Sequence, residues 1–305
     1  MTRVGLCLPQ LGEHVTAEVI TGFCREAERL GYESLWVQDH FLWPIEPTRG
    51  YAGRPGLAIP TPYQSVYAPT ELLAIAAVLT SAPVLGTSVL VQGNHWPASL
   101  AQRLATIDVL SAGRLLVGLG QGWNAEEHIS CGTSVNDRAA RMEEFVGALR
   151  ACWGPDPVEY DGRFFTIPAA IQRPKPIRRP HPPLLSGASS SAGLTRTARL
   201  FDGWNPAGLP VADVVRLADG MAAQRPEGMA PLSIHMRTFV QFLGPSEPFD
   251  ETMTRLVQEA CDATAAGFDD LIIEHNFWDQ ITSPDDWLSV PERFLPVLTA
   301  AQQTR

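Results

Sequence analysis

Short apolar runs alternate with helix-like segments eight times along this chain of 305 residues. The runs have the length of buried strands, and the segments between them repeat apolar residues at helical spacing. We predict strands over 4–8, 34–37, 84–91, 115–119, 184–185, 203–204, 233–243 and 271–274, and helices over 15–30, 72–79, 99–110, 138–153, 190–200, 211–223, 251–266 and 286–301. Eight regular units favour a (β/α)8 TIM barrel, an α/β fold, over an open doubly wound sheet. Active-site groups are then expected just after the strands.

Two stretches interrupt this alternation and are predicted to be insertions at the carboxyl-terminal face of a single domain covering 1–305. The first, about 41–68, is rich in proline, glycine and tyrosine, and so long an irregular connection in a compact domain is usually functional. The second, about 154–183, contains a hairpin signal at 158–165, because Asp161-Gly162 suits a type I′ turn. Both segments are expected to shape the pocket, and neither identifies the substrate.

The charge balance and the cysteines narrow the partners and the compartment. A net charge of −10 and a pI near 5.2 argue against nucleic acid or an anionic membrane, since both need a basic patch. Residues 72–102 lack Asp, Glu, Lys and Arg, but prolines and glycines divide them, so we expect buried core and not a membrane span. Five scattered cysteines and the lack of a secretory signal before Arg3 indicate reduced thiols and a cytoplasmic protein.

A glycine-rich loop follows the predicted strand at 115–119, with glycines at 118, 120 and 122. It does not match the phosphate loop GxxxxGK, because Trp123 and Asn124 occupy the decisive positions, and it does not match GxGxxG. We interpret it as a cofactor loop of another kind, which a ligand can approach closely because glycine lacks a side chain. The alternative is a barrel strand whose small residues only allow tight packing of a helix.

Other kinds of chemistry have little support in the sequence. Four further histidines are spread over separate units without HxH or HExxH spacing, so no metal site is expected. They are His128, His181, His235 and His275. There is no GxSxG motif, and no Ser, His and Asp set is legible.

Taken in order, several segments resemble the bacterial luciferase-like monooxygenase superfamily, and more closely its branch that uses the deazaflavin coenzyme F420. The resemblance covers nearly the whole chain. The segments are GLCLP at 5–9, AERLGYESLWV at 27–37, DHF at 39–41, LGTSVL at 85–90, IDVLSAGR at 107–114, RPKP at 173–176 with HPP at 181–183, and ARLFDGW at 198–204. Each segment alone is weak evidence for the family, whereas all of them in this order are specific for it.

This resemblance implies a flavin or deazaflavin in the barrel mouth, with redox chemistry at its ring and no metal. It places Asp39 and His40 beside the ring as the catalytic pair, and a non-prolyl cis peptide at Ser88-Val89 behind the ring. The implied cofactor-binding residues are Asp39, Ser88, Val89, Gln121, Gly122 and Trp123, with Gly187, Ala188, Ser189 and Ser190 as the phosphate site at a helix start.

Position alone suggests two substrate-pocket residues, Trp43 in the first insertion and His95 after the third strand. Simpler alternatives stay open: Asp39 and His40 as a strand-end cap, Trp43 as packing, and the serines at 189–191 as a helix N-cap. The sugar-phosphate dehydrogenases of the F420 branch carry a carboxylate where Trp123 stands. Their substrate and acid chemistry are therefore not carried over, and a flatter, more apolar substrate is expected.

Three functions follow as hypotheses. The first is an F420-dependent oxidoreductase that transfers a hydride between the deazaflavin and a small organic substrate. The second is an FMN-dependent monooxygenase that uses reduced flavin and molecular oxygen, and the third is a non-catalytic flavin-binding barrel. We also expect a homodimer, and a reductase that supplies reduced flavin or F420.

Overall fold

A computed structural model describes residues 1–241 and 247–304, so the last two residues of the strand predicted at 233–243 lie outside the described residues. The strands are β1 (Arg3–Cys7), β2 (Ser34–Val37), β3 (Val84–Thr87), β4 (Leu90–Val91), β5 (Leu115–Gly120), β6 (Val158–Asp161), β7 (Thr166–Ala170), β8 (Leu184–Ser186), β9 (Gly203–Trp204), β10 (Ser233–Phe239) and β11 (Asp270–Glu274). Parallel pairing runs β1-β2-β3-β5-β8-β9-β10-β11, and β11 pairs with β1 to close the sheet. The predicted (β/α)8 barrel is confirmed.

Helices surround the barrel. They are α1 (Ala17–Leu30), α2 (Pro69–Leu79), α3 (Pro97–Leu110), α4 (Ala125–Ser130), α5 (Arg138–Trp153), α6 (Ser191–Leu200), α7 (Val211–Ala222), α8 (Phe249–Ala265), α9 (Pro284–Arg293) and α10 (Leu295–Thr304). The helix predicted at 286–301 is two helices, because Pro296, in the first turn of α10, has no amide hydrogen to bond back to Glu292, and α9 ends at Arg293. The short α4 was not predicted. It begins where the Asn124 side chain accepts bonds from the amides of Glu126 and Glu127.

The third barrel strand is interrupted between β3 and β4, where the Ser88-Val89 peptide is cis, as predicted. The Val89 side chain lies against three glycines of neighbouring strands and loops. A Cβ atom on Gly118 would lie 3.1 Å from Val89, one on Gly187 would lie 2.9 Å away, and one on Gly120 would also collide with it. A Cβ atom on Gly118 would also collide with the Thr87 carbonyl oxygen, so close packing against Thr87 and Val89 accounts for Gly118 and Gly120. The alternative of close packing therefore holds for these two glycines, although the neighbour is a strand and not a helix.

Strand alternation separates two packed regions. Val4, Leu6 and Leu8 face the helices and belong to the main core, which also includes apolar residues of α1, α3, α5 and α10. A second cluster of buried apolar residues comes from strands β1, β2, β5, β8 and β11. Its members are Cys7, Trp36, Leu116, Leu185 and Ile272. This layer places the polar residues that follow the strands at one open end of the barrel.

The second insertion forms the predicted hairpin, but its turn is not type I′. Asp161 pairs with Thr166, and the Gly162 amide donates to the Phe165 carbonyl, so the loop has four residues. The Glu144 carboxylate of α5 accepts a 2.8 Å bond from the Phe164 amide, which explains why helix contact overrides the local turn preference.

Only the first insertion lies at the carboxyl-terminal face of the barrel. In the second, the Ile177 amide donates 2.7 Å to the Asp108 carboxylate, in the last turn of α3. That turn leads into the amino end of β5, so the chain reaches β8 from the amino-terminal face.

All five cysteines are free. Within 1–241 and 247–304, the helices are too short or too polar to cross a membrane.

Candidate active site

Asp39, just after β2, is held by two hydrogen bonds. Its Oδ2 accepts 2.8 Å bonds from the Val91 amide and from Nε2 of His95. The carboxylate is almost fully buried. His95, expected as a substrate contact, is therefore the partner of Asp39 in this structure, and the strand interruption at β4 supplies the other donor.

His40 pairs with a different carboxylate, that of Glu127. Its Nδ1 lies 3.1 and 3.2 Å from the two Glu127 oxygens, and the same carboxylate accepts a 2.8 Å bond from the Phe41 amide. Glu127 is fully buried. Because a carboxylate only accepts, the proton of a neutral His40 lies on Nδ1, and Nε2 carries the lone pair.

Sequence reasoning missed Glu127. One local signal pointed to it: Asn124 followed three residues later by glutamate is a helix-start pattern. That pattern predicts α4, although not the partner of Glu127, which lies 87 residues earlier in the chain.

An aromatic group, which we call the mouth cluster, lies beside His40. It consists of Tyr51 and Tyr63 from the first insertion, Trp123 and Phe277. His40 lies 4.8 Å from the Tyr63 ring and 5.1 Å from the Trp123 ring, between centroids. Burial raises the pKa of Tyr51 and raises that of Tyr63 well above its ordinary value, so both phenols are neutral. The cluster therefore gives His40 an uncharged, largely apolar surrounding.

Trp43 packs against this cluster and is half-buried. Its role in a substrate pocket stays a prediction. Its indole Nε1 is buried without a hydrogen-bond partner. Asn94 Oδ1 and both side-chain polar atoms of Gln92, just after β4, are also buried and unpartnered. Buried polar atoms normally have partners, so these atoms suit a bound polar molecule.

The Ser88 side of the interrupted strand is fixed by an ion pair inside the barrel. Nη1 of Arg237 donates 2.5 Å to the Ser88 carbonyl, and Nη2 donates to the Glu274 carboxylate. Ser88 Oγ donates 2.7 Å to Asn205. Burial is the largest single influence on Glu274 and opposes its ionisation, but the Arg237 charge, the nearby His275 and the bonds from Asn276 together outweigh it and lower the pKa of Glu274. This pair was also missed, because it depends on the pairing of β10 with β11.

The predicted loop at 121–123 makes internal contacts. The Gln121 carbonyl accepts a 3.0 Å bond from His128, and the Gly122 carbonyl accepts one of 3.0 Å from Arg138. Gly122 adopts φ of +73°, which explains glycine there. Burial lowers the pKa of His128. Of the three predicted residues, Trp123 is the one whose side chain joins the mouth cluster.

The predicted phosphate site lies at the start of α6. Ser190 Oγ accepts from the Gly193 amide at 3.2 Å and caps the helix, as the simpler interpretation had it. The Ala188 carbonyl accepts a 2.8 Å bond from the Trp204 indole, a Cβ atom on Gly187 would lie 2.9 Å from Val89, and Ser189 is exposed. A single cap leaves further first-turn amides available, so an anion site remains compatible with this geometry.

The structure assembles a Ser, His and Asp set that the sequence did not reveal. His235 Nδ1 lies 2.6 Å from Asp270, and its Nε2 lies 2.9 Å from Ser233 Oγ. Asp270 also accepts hydrogen bonds from Arg3 and Ser34. Burial alone would raise the pKa of Asp270, but the bonds and charges of His235 and Arg3 outweigh burial and lower this pKa. These residues lie at the starts of β1, β2, β10 and β11, opposite the face that carries barrel active sites, and we interpret them as structural.

Over the described ranges 1–241 and 247–304, no three His, Cys, Asp or Glu side chains converge as a metal site.

Comparison with known sequences gives one family. A family model described as luciferase-like monooxygenase matches residues 1–242. An uncharacterized Mycobacterium tuberculosis protein is 33% identical over 201 residues, 63% of this chain and 70% of the relative. The FMNH2-dependent dimethylsulfone monooxygenase of Pseudomonas putida is 28% identical over 79% of this chain and 63% of its own. The F420-dependent hydroxymycolic acid dehydrogenase of M. tuberculosis is 25% identical over 74% of this chain and 59% of its own.

Solved structures share the fold. A monooxygenase from Streptomyces bottropensis aligns with a TM-score of 0.71 at 21% identity, over 96% of this chain and 98% of that one. The coenzyme F420-dependent tetrahydromethanopterin reductase of Methanopyrus kandleri aligns with a TM-score of 0.64 at 15% identity, over 97% and 99%. At these identities the likeness concerns the barrel alone.

Proposed function

Because this chain belongs to the luciferase-like monooxygenase family, we propose that it is an F420-dependent oxidoreductase acting on a small organic substrate. The observation that carries the proposal is the pair of carboxylate-bound histidines at the barrel mouth, Asp39 with His95 and Glu127 with His40. The Asp-His-Phe sequence at 39–41, in its deazaflavin-branch form, and the F420-dependent relatives favour F420.

The residues at the mouth fit a ring cofactor of this kind. The unpartnered atoms of Gln92 and Asn94 include a donor and two acceptors, which suit a heterocycle with amide groups on one edge. Val89 offers an apolar surface, and Ser189 with the first amides of α6 suits a phosphate. Once bound, the deazaflavin supplies two-electron redox chemistry at its ring.

The protein's own contribution is proton handling and positioning. Glu127 holds the proton of His40 on Nδ1, so Nε2 accepts the hydroxyl proton of an alcohol substrate as its hydride leaves, or returns it in reduction. Asp39 is fixed by the Val91 amide and His95 and keeps one orientation. The mouth cluster limits water beside His40, which strengthens each polar interaction there.

A second candidate, an FMN-dependent monooxygenase, is favoured by the Pseudomonas relative, which aligns over 79% of this chain. In that case a partner reductase supplies reduced FMN, and molecular oxygen is the second substrate. The same mouth residues then serve the flavin ring, because the two cofactors share a tricyclic head and a ribityl phosphate.

Titration of the purified protein with F420 and with FMN, each oxidised and reduced, tests the assignment by tryptophan fluorescence. Reduced F420 is expected to saturate the protein at lower concentration than FMN. Trp123→Phe should reduce the signal change, whereas Trp153→Phe, far along α5, is the matched control. Saturation by FMN at much lower concentration would replace the proposal with the monooxygenase. Tight binding without turnover across many substrates would favour the non-catalytic barrel.

A further inference from the structure

A cavity of about 540 Å³ lies beside the mouth cluster. Its walls come from residues 11–14 after β1, residues 57–62 of the first insertion and residues 276–281 after β11. Cavities of roughly 300 to 1,000 Å³ bury most of the surface of a drug-sized molecule. The volume therefore fits an organic molecule much larger than a simple alcohol or sulfone.

The cavity adjoins the candidate active site through a single aromatic wall. Tyr51 and Phe277 line the cavity and also belong to the mouth cluster. The Tyr51 ring lies 5.1 Å from the Trp123 ring, which in turn lies 5.1 Å from His40. A molecule held in the cavity is therefore separated from His40 by two aromatic rings, those of Tyr51 and Trp123.

The described lining residues are mostly apolar, and they include one histidine, His14, but no permanently charged cation. Leu11, Leu57, Ile59, Phe277, Trp278 and Ile281 form most of its surface. Among the described lining residues there is no lysine or arginine, and the acidic ones are Glu13 and Asp279. An anionic ligand would meet two carboxylates, and the described lining offers His14 but no lysine or arginine to pair with it. Burying a poorly paired charge is costly.

We propose that this cavity binds the body of the substrate, and that the substrate is an uncharged, largely apolar organic molecule without phosphate, sulfonate or carboxylate groups. Only the identification of the bound molecule as the substrate rests on the proposed function. The binding itself is independent of any cofactor. It predicts that a neutral ligand enters and that an anionic ligand of similar size does not.

The test uses two fluorescent dyes on the full-length protein without added cofactor: neutral Nile red and anionic 8-anilinonaphthalene-1-sulfonate. Nile red is expected to saturate at one molecule per chain, with affinity at least about tenfold higher than the sulfonate, a difference of about 1.4 kcal/mol. Glu13→Lys, at an exposed lining position, should raise the affinity for the sulfonate. Equal affinity of the wild type for both dyes would overturn the proposal.

Pocket-filling variants locate the bound dye. Ala58→Trp and Thr61→Trp each place an indole at an exposed rim position, and Ala169→Trp, on the exposed face of β7, is the matched control. At least one rim variant should weaken Nile red binding about tenfold or more, while the control leaves it unchanged. If both rim variants fold, by circular dichroism, and bind like the control, the cavity is not the site. Failure of F420 turnover with dye discrimination intact would overturn the proposed function alone.

Discussion

Replacement of His275 is expected to remove a large pH dependence from the stability of the barrel. His275 follows β11, is fully buried, and has no hydrogen-bond partner at either ring nitrogen. Its ring lies 5.6 Å from Phe23 and 5.5 Å from Trp287, between centroids. Burial lowers the pKa of His275 from 6.5 to about 4, and the nearby Glu274 charge opposes the shift only in part.

The sign follows from proton binding. Between pH 4 and 6.5 the unfolded chain binds more protons at this position than the folded chain, so the free energy of unfolding falls as the pH falls. The contribution of His275 to the free energy of unfolding is fully present above pH 6.5, its ordinary pKa in the unfolded chain. It is lost as the pH falls towards about 4, its pKa in the folded chain. With about 1.36 kcal/mol per pKa unit, the total is about 3 kcal/mol, of which about 2.5 kcal/mol is lost by pH 4.5.

Urea unfolding of the wild type and of His275→Leu, followed by circular dichroism from pH 7.5 to 4.5, measures the contribution of His275 to the free energy of unfolding. At pH 7.5 the two should differ by less than about 1.5 kcal/mol, because leucine has a similar volume. At pH 4.5 the variant should have gained about 2.5 kcal/mol relative to the wild type. His275→Gln, which is polar but does not titrate, should show the same pH trend. A difference between wild type and variant that stays constant with pH would refute the reasoning.

Three further results are expected. His40→Ala should lower turnover about 100-fold or more, the scale of general acid-base help, while Glu127→Gln should lower it less and shift the pH profile; full activity in His40→Ala would exclude the proton-transfer role. Gly120→Ala should lower the free energy of unfolding by about 1 to 3 kcal/mol, because the added methyl group collides with Val89. Adding Val89→Ala should restore part of this loss, so a double variant whose two effects simply add would contradict the collision. Ser233→Ala should keep turnover and lose about 1 kcal/mol of unfolding free energy, and covalent labelling of Ser233 by phenylmethylsulfonyl fluoride would show that the Ser, His and Asp set is reactive after all.

The barrel was predictable because its signals are local. Apolar runs of strand length and glycine stops such as Gly31, which ends α1 with φ of 90°, reveal each unit without knowledge of its neighbours. The same holds for the position of Asp39 and His40 at a strand end. The helix break at Phe294 was also predictable, since Pro296 stands two residues later in the sequence.

The partners of these residues were not predictable from local signals. His40 binds Glu127 and Arg237 binds Glu274 only because the closed sheet brings separate units together. The Asp161-Gly162 turn failed for a related reason, because Glu144 of α5 binds the loop amide and selects a longer turn. Where a side chain's partner lies in another unit, sequence periodicity identifies the residue and not its contact.

The first insertion supplies Tyr51 and Tyr63 to the mouth cluster, and Ile59 to the cavity. Asp39, the Val91 amide and His95, by contrast, are fixed near the ends of strands. Under the proposed function, this exchangeable segment contributes to the choice of substrate together with the residues after β1 and β11, while Asp39 and His95 belong to the scaffold. Replacing residues 57–62 with other loop sequences offers a way to redesign substrate choice while retaining the reaction, since loops tolerate change that barrel strands do not.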